Sequence, residues 1–478
     1  MFEGVTGRLV DFAIRTKFED LPRDVIEKTK LLLLDSIGCA LGGYVTDRAK
    51  LAFEFAEESG GSAQASVIGG HRTSYAVAAF VNGELINALD YDCIGPLAGH
   101  VCPHVTPPCL AAAERARASG NELITALALA YEIGGRLGAS LAGLKILKEE
   151  PPYYEDSPRF THAYTFFGGV AGASKLLGLN ASKMANAFGI AGASAPVPAG
   201  IKWEHIDGPA IMVKYNAWSG WVSQLATVAA LLAEKGFTGD TTILDGDLGF
   251  WQIVGSPFFK ADVLVGGLGE VWHVQEVDFK PYPTCRNNHA GIEGIYQIVR
   301  DHGIRPEEIE EILIKADPLL LTPNRMTAEV KSFSDMQFSN ANIFAVAACY
   351  GGSPSPAWQM PSVYNDPDVR VLVQKVKIET HPRATEYITA KIKAGRIPVF
   401  WDTIVEIKAR GNKYVKEVTK PKGTPGNPMT ERELLQKFRI NASYSMLPTS
   451  RVEELIQTIS ELEKLDDVTR LTRSSALG

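Results

Sequence analysis

The chain has 478 residues, 45% hydrophobic and 22% charged, with 44 glycines; this is a globular composition, long enough for a sizeable core and two or three domains. Lys and Arg number 48 against 55 Asp and Glu, a formal charge of −7 without long runs of one sign, which argues against a nucleic-acid partner. Glu3 and Asp11 stand where a signal peptide needs a basic end and an unbroken apolar stretch, no apolar run reaches the roughly 18 residues of a membrane span, and the six cysteines form no CxxC pair. A cytoplasmic protein with reduced thiols and no membrane partner is expected.

In chain order, DVIEKTKLLLLDSIGCALGG is a helix opened by Pro22 and stopped at Gly42 and Gly43. Thr106 and Pro107 read as N-cap and first residue of a helix through PPCLAAAERARAS that closes at Gly120, and Asn121 caps the next one, NELITALALAYEIGGRLG. Further helices follow in HAYTFFGGVAGASKLLG, SKMANAFGIAGASA and SQLATVAALLAEKG. Their Ala and Gly faces allow close helix approach, which accounts for the glycine excess.

Near residue 265 the pattern changes. EEILIKA, VQKVKIET and DTIVEIKARGNKYVKEV are β-branched and alternating, and Gly411-Asn412 is placed to turn a hairpin. PKGTPGNP then reads as a loop leading back to the helices TERELLQKF and SRVEELIQTISELEKL. The predicted architecture is mainly α: a large helical domain of residues 1–265, completed by the C-terminal helices of 421–478, and a smaller α+β domain of 266–420, with a ligand cleft between them.

Four segments concentrate ionisable residues in apolar surroundings. NALDYDCIGPLAGHVCPHV, a Gly/Pro loop between helices, carries Asp90, Asp92, His100 and His104, a set suited to acid/base work or metal ligation. The spacing of His100 and His104 would put two imidazoles on one helical face, but Gly99 and Pro103 argue against a regular helix there, so no metal is expected. PRFTHAYTFFGG places His162 ahead of a small-residue helix, and GIKWEHIDGPAIMVKYNAWSGW holds Lys202, His205 and Lys214. In DFKPYPTCRNNHAGIEGI, Pro281 and Pro283 stiffen the backbone around Lys280, with Cys285, Arg286 and His289 following; a rigid turn bearing Lys and Arg suits a carboxylate or phosphate. Cys285 lacks the partner motif of a nucleophile, and no P-loop, Rossmann glycine motif or GxSxG elbow is present.

Together, LLLLDSIGCALGG, NALDYD followed by GH and LAAAERARASGNELITALALAYEIGGRL, the run HAYTFFGGVAGASKLLGLNASKMANAFGIAGASA, AALLAEKGFTGDTTILDG and FKPYPTC followed by His289 resemble the MmgE/PrpD family. The resemblance spans nearly the whole chain. It implies a helical domain with a smaller α+β lid in a homodimer, without a cofactor, and a lyase that dehydrates or decarboxylates a small di- or tricarboxylate in the manner of 2-methylcitrate dehydratase. An epimerase on the same scaffold and a non-catalytic carboxylate-binding homologue are the alternatives.

The same resemblance puts catalytic positions at Asp90, His100, His162 and Lys280, and substrate contacts at Lys214, His104, Arg286, His289 and Tyr91. The Lys214 match carries a one-residue offset. Where family dehydratases and decarboxylases often read D-(F/Y)-D-D-T and HPS, this chain has Asp90-Tyr91-Asp92-Cys93-Ile94 and His100-Val101-Cys102. A carboxylate and a hydroxyl are thereby lost from the pocket, and His104 stands where a small residue is usual.

Overall fold

Helix-on-helix packing at glycine contacts builds the first part of the computed structural model, which describes residues 4–95, 99–141, 144–148, 153–156, 161–196, 211–213, 218–256, 258–394 and 399–477. The helices are α1 (Gly4–Arg15), α2 (Arg23–Gly43), α3 (Asp47–Ser59), α4 (Tyr75–Asn87), α5 (Cys102–Ala116), α6 (Gly120–Leu141), α7 (Phe166–Leu176), α8 (Ala181–Ala193) and α9 (Ser219–Glu234). A Cβ on Gly168 of α7 would stand 1.9 Å from the Ala130 carbonyl of α6, and one on Gly220 of α9 would stand 2.6 Å from the Phe80 carbonyl of α4. Only glycine permits these crossings. Among the described residues no helix is long and apolar enough to cross a membrane.

Two helix starts differ from the sequence reading. α5 begins at Cys102, four residues before Thr106, and keeps Pro107 and Pro108 inside it. Pro107 cannot donate to the Pro103 carbonyl, and the Ser223 hydroxyl donates to that carbonyl instead, so the helix survives. α6 starts at Gly120, with Ser119 rather than Asn121 at its cap: Glu122 N donates to Ser119 Oγ at 3.3 Å, and Ser119 N to Glu122 Oε2 at 2.7 Å, a reciprocal capping box.

The second part is built on a four-stranded sheet in the order β6-β5-β7-β8. Two short pairs precede it, β1 (Ala65–Ser66) with β2 (Arg72–Thr73) and β3 (Leu144–Lys148) with β4 (Tyr153–Asp156). β5 (Ile309–Ala316) pairs parallel with β6 (Val376–Thr380) and antiparallel with β7 (Thr403–Ala409), and β7 forms a hairpin with β8 (Asn412–Val418). Ala409 pairs with Asn412, so the turn residues are Arg410 and Gly411, at φ +54° and +69°, one position earlier than expected. Arg410 is held there by its guanidinium, 2.7 Å from the Gly303 carbonyl.

α10 (His289–His302) and α11 (Asn340–Tyr350) cover one sheet face, burying Ile292, Ile295, Phe344 and Val346 with Ile312, Ile314, Val405 and Ile407. α12 (Glu431–Ala442) and α13 (Thr449–Ser460) return to the first part, where Leu434, Phe438, Leu455 and Ile459 share a core with Leu32, Leu33, Ile37 and Leu127. The architecture is mainly α, a large helical unit with a smaller α+β one.

Candidate active site

The loop after α4 runs through the interior, so each of its backbone carbonyls needs a donor. Four consecutive residues receive one from four different elements. Gln337 Nε2 donates to Ala88 O and Gln359 Nε2 to Leu89 O, both at 2.7 Å, while Lys280 Nζ and Lys437 Nζ donate to Asp90 O and Tyr91 O, both at 2.8 Å. A two-residue bridge, Ile94 N to Asp278 O at 3.1 Å and Asp278 N to Ile94 O at 2.8 Å, ties the same loop to the segment that carries Lys280. The site therefore lies where the helical part, the 278–289 segment and the second part meet.

Within it, His100 is wedged between two carboxylates. Its Nδ1 lies 2.7 Å from Asp92 Oδ2 and its Nε2 3.1 Å from Asp90 Oδ1. Lys280 Nζ is 3.0 Å from the same Asp90 oxygen. All four side chains are buried. Asn87 Nδ2 donates to Asp92 Oδ1 at 3.0 Å, and the Cys102 thiol lies 3.5 Å from Asp92 Oδ2.

Burial alone would neutralise this cluster, taking the proton from the imidazole and leaving one on each carboxylate. It is outweighed for His100 by the Asp92 charge and by the hydrogen bonds the ring donates to both carboxylates, which lift the imidazole above its ordinary value against the opposing charge of Lys280. Asp92 falls below the usual carboxylate range: the His100 charge, their hydrogen bond and Lys280 overcome the upward push of burial. Both shifts favour the charged His100–Asp92 pair over the neutral one. Ligand atoms of Asp90, Asp92 and His100 lie within 4.8 Å of one another, close enough to share a cation, and Lys280 Nζ is bonded to Asp90 of the three.

A second group follows Lys280 on the same segment. Arg286 Nη1 is 3.0 Å from His289 Nδ1 and donates to Lys422 O at 3.0 Å, while Nη2 is 3.4 Å from Asp278 Oδ2. Burial, then Arg286 and Lys280, hold His289 well below the ordinary histidine value; the neutral ring accepts from Arg286 and faces Thr284 O with Nε2 at 3.3 Å. Burial pushes Asp278 up to about 6 against the pull of Arg286 and Lys28.

The structure thus joins Asp90, His100 and Lys280 in one hydrogen-bonded chain and Arg286 with His289 in a neighbouring one. His104 lies on the first turn of α5, with Nδ1 2.7 Å from Thr165 Oγ1 and Nε2 3.4 Å from Ser219 Oγ. The Tyr91 hydroxyl donates to Pro281 O at 3.0 Å and its ring lies under Lys437, 4.1 Å from the ammonium; burial pushes its pKa upward. His162 belongs to a short 3₁₀ turn, Thr161–Thr165, and its side chain lies outside the described residues, as does Lys214.

Sequence reasoning gave Asn87, Lys437, Gln337 and Gln359 no role. Asn87 stands beside the acidic motif and could have been found there. The two glutamines act on backbone carbonyls up to 270 residues away, a relation without any local sequence signal.

Comparison with known proteins agrees with this architecture. The cis-aconitate decarboxylase of Aspergillus terreus is 28% identical over 508 residues, covering 98% of this chain and 95% of the relative. The human cis-aconitate decarboxylase is 26% identical over 492 residues, covering 99% and 94%, and the mouse one is 27% identical over 499 residues, covering 99% and 93%. Residues 7–260 match the model of the MmgE/PrpD N-terminal domain and residues 282–464 that of the C-terminal domain, and the chain belongs to the MmgE/PrpD family.

Proposed function

We propose that the chain is a lyase that removes CO₂, or water, from a small unsaturated or hydroxylated di- or tricarboxylate, with cis-aconitate as the first substrate to test. The carrying observation is the buried His100 imidazole held between Asp90 and Asp92, with Lys280 fixed on Asp90. Relatives named for cis-aconitate decarboxylation, similar over almost their full length, support the substrate class.

In decarboxylation the C–C bond to one carboxylate breaks and CO₂ leaves. The electron pair moves through the alkene toward a second carboxylate, and the alkene carbon takes a proton. His100, stored as imidazolium, is placed to give that proton. An ammonium has three N–H groups; Lys280 uses two on Asp90 and offers the third to the carboxylate on which charge builds. Such preset charge in a closed site is the largest catalytic term available without a cofactor. His162 and Lys214 complete the reading as second acid and second clamp, and His104, Arg286, His289 and Tyr91 as the substrate surround. The same reading takes the working form as a cytoplasmic homodimer, which light scattering tests for the purified protein.

The deciding experiment is incubation with cis-aconitate, methylcitrate and iminodisuccinate in deuterated buffer, read by mass spectrometry. Loss of CO₂ or water supports the lyase. Deuterium entering a stereocentre without elimination would make it an epimerase, and stabilisation by a carboxylate that is never turned over would make it a binding protein.

A further inference from the structure

We propose that Arg48 and Glu84 are positioning residues of this site: their buried pair locks the amide of Asn87, and through it Asp92 and the Nδ1 side of His100. Glu84 and Asn87 lie three residues apart on α4, hence on one face. Arg48, in the first turn of α3, reaches both, pairing through Nε with Glu84 Oε2 and donating from Nη1 to Asn87 Oδ1 at 3.1 Å. All three side chains are buried.

A guanidinium only donates and a carboxylate only accepts. Asn87 must therefore turn its oxygen to Arg48 and its NH₂ to Asp92, whose Oδ1 accepts at 3.0 Å. A flipped amide would set oxygen against carboxylate and NH₂ against guanidinium. Its NH₂ also lies 3.3 Å from His100 Nδ1, so the lock settles which carboxylate oxygens remain for the ring. The other Glu84 oxygen accepts from Gly220 N at 2.6 Å, beside Ser219, whose hydroxyl faces His104. One ion pair thereby ties together the two histidine-bearing walls.

A buried ion pair contributes little stability over an apolar pair of similar volume. The geometry it imposes is the better reason for its presence. Among the described residues, groups that face His100 include Asp90 and Asp92 from the loop, Lys280 from the 278–289 segment and Asn87 from α4; Cys93, Cys102 and Asp35 lie around Asp92.

The inference rests on His100 being the proton carrier, and two readouts separate the claims. One is the titration of His100 by NMR of the full-length, histidine-labelled protein, with His100→Gln assigning its signal. The other is the pH profile of turnover on cis-aconitate. Asn87→Asp puts a third carboxylate where the amide NH₂ faces Nδ1, so the His100 titration and the matching limb of the rate profile move to higher pH. The double variant Arg48→Met with Glu84→Met stays folded, as circular dichroism checks, while kcat falls on the order of tenfold at nearly constant KM, the loss expected from a slightly misplaced acid.

An unmoved His100 titration in folded Asn87→Asp, or a folded double variant with kcat within about threefold of the parent, would overturn the inference. If the parent protein converts no carboxylate, the proposed reaction fails, and the His100 titration in the Arg48→Met, Glu84→Met variant still decides the positioning role: a shift supports it and an unmoved titration overturns it.

Discussion

Lys280 holds Asp90 at two points, 2.8 Å from its carbonyl oxygen and 3.0 Å from its carboxylate, and fixes it in a left-handed conformation at φ +52°. That conformation costs an L-residue about 1–2 kcal/mol, and Asp tolerates it better than most. Both side chains are fully buried. Removing one partner of this buried pair costs about 3–5 kcal/mol. Lys280→Met is therefore expected to lose both turnover and thermal stability, whereas a surface lysine would lose neither. Calorimetry on the variant checks this, and an unchanged melting temperature contradicts it.

Asp278 supplies a pH signature of the second group. Its folded value is raised to about 6, above the roughly 4 of an unfolded Asp. Between those values the folded chain holds a proton that the unfolded chain has lost, so this residue lowers stability as pH rises through the window and its cost is complete above it. Asp278→Asn removes that slope. Melting temperatures of parent and variant from pH 4 to 7, on the scale of the values above, would diverge; parallel curves would refute the assignment.

Lys437 is buried against Asp35, with Nζ 2.7 Å from Oδ1, and donates to the Tyr91 carbonyl as well. Lys437→Met leaves Asp35 buried and unpaired and should cost about 3–5 kcal/mol, while Asp35→Leu combined with Lys437→Met should recover most of it. A double-variant cycle by denaturant unfolding measures the coupling. Additive losses would show that the pair is not the fastening of the loop.

Much of this was legible in the sequence because it is local. Glycine-punctuated apolar periodicity marked α2, α6, α7 and α8, alternation marked β5 and the β7–β8 hairpin, and ionisable residues in Gly/Pro loops marked Asp90, His100 and Lys280. The errors were also local: Thr106-Pro107 looks like a helix start because its rescue by Ser223 comes from another helix. What could not be read is the set of long-range contacts. Gln359 on Leu89, Lys437 on Tyr91 and Arg48 on Asn87 each depend on how distant elements pack, and none leaves a periodicity or motif.

In the proposed reaction His100, charged between Asp90 and Asp92, delivers the proton of a carboxylate elimination. The most direct measurement is kcat for CO₂ release from cis-aconitate by the parent protein and by His100→Gln, with circular dichroism showing both folded. The expected fall is about 10²- to 10⁴-fold, the usual worth of a placed acid. A folded His100→Gln protein that turns over at the parent rate would contradict it.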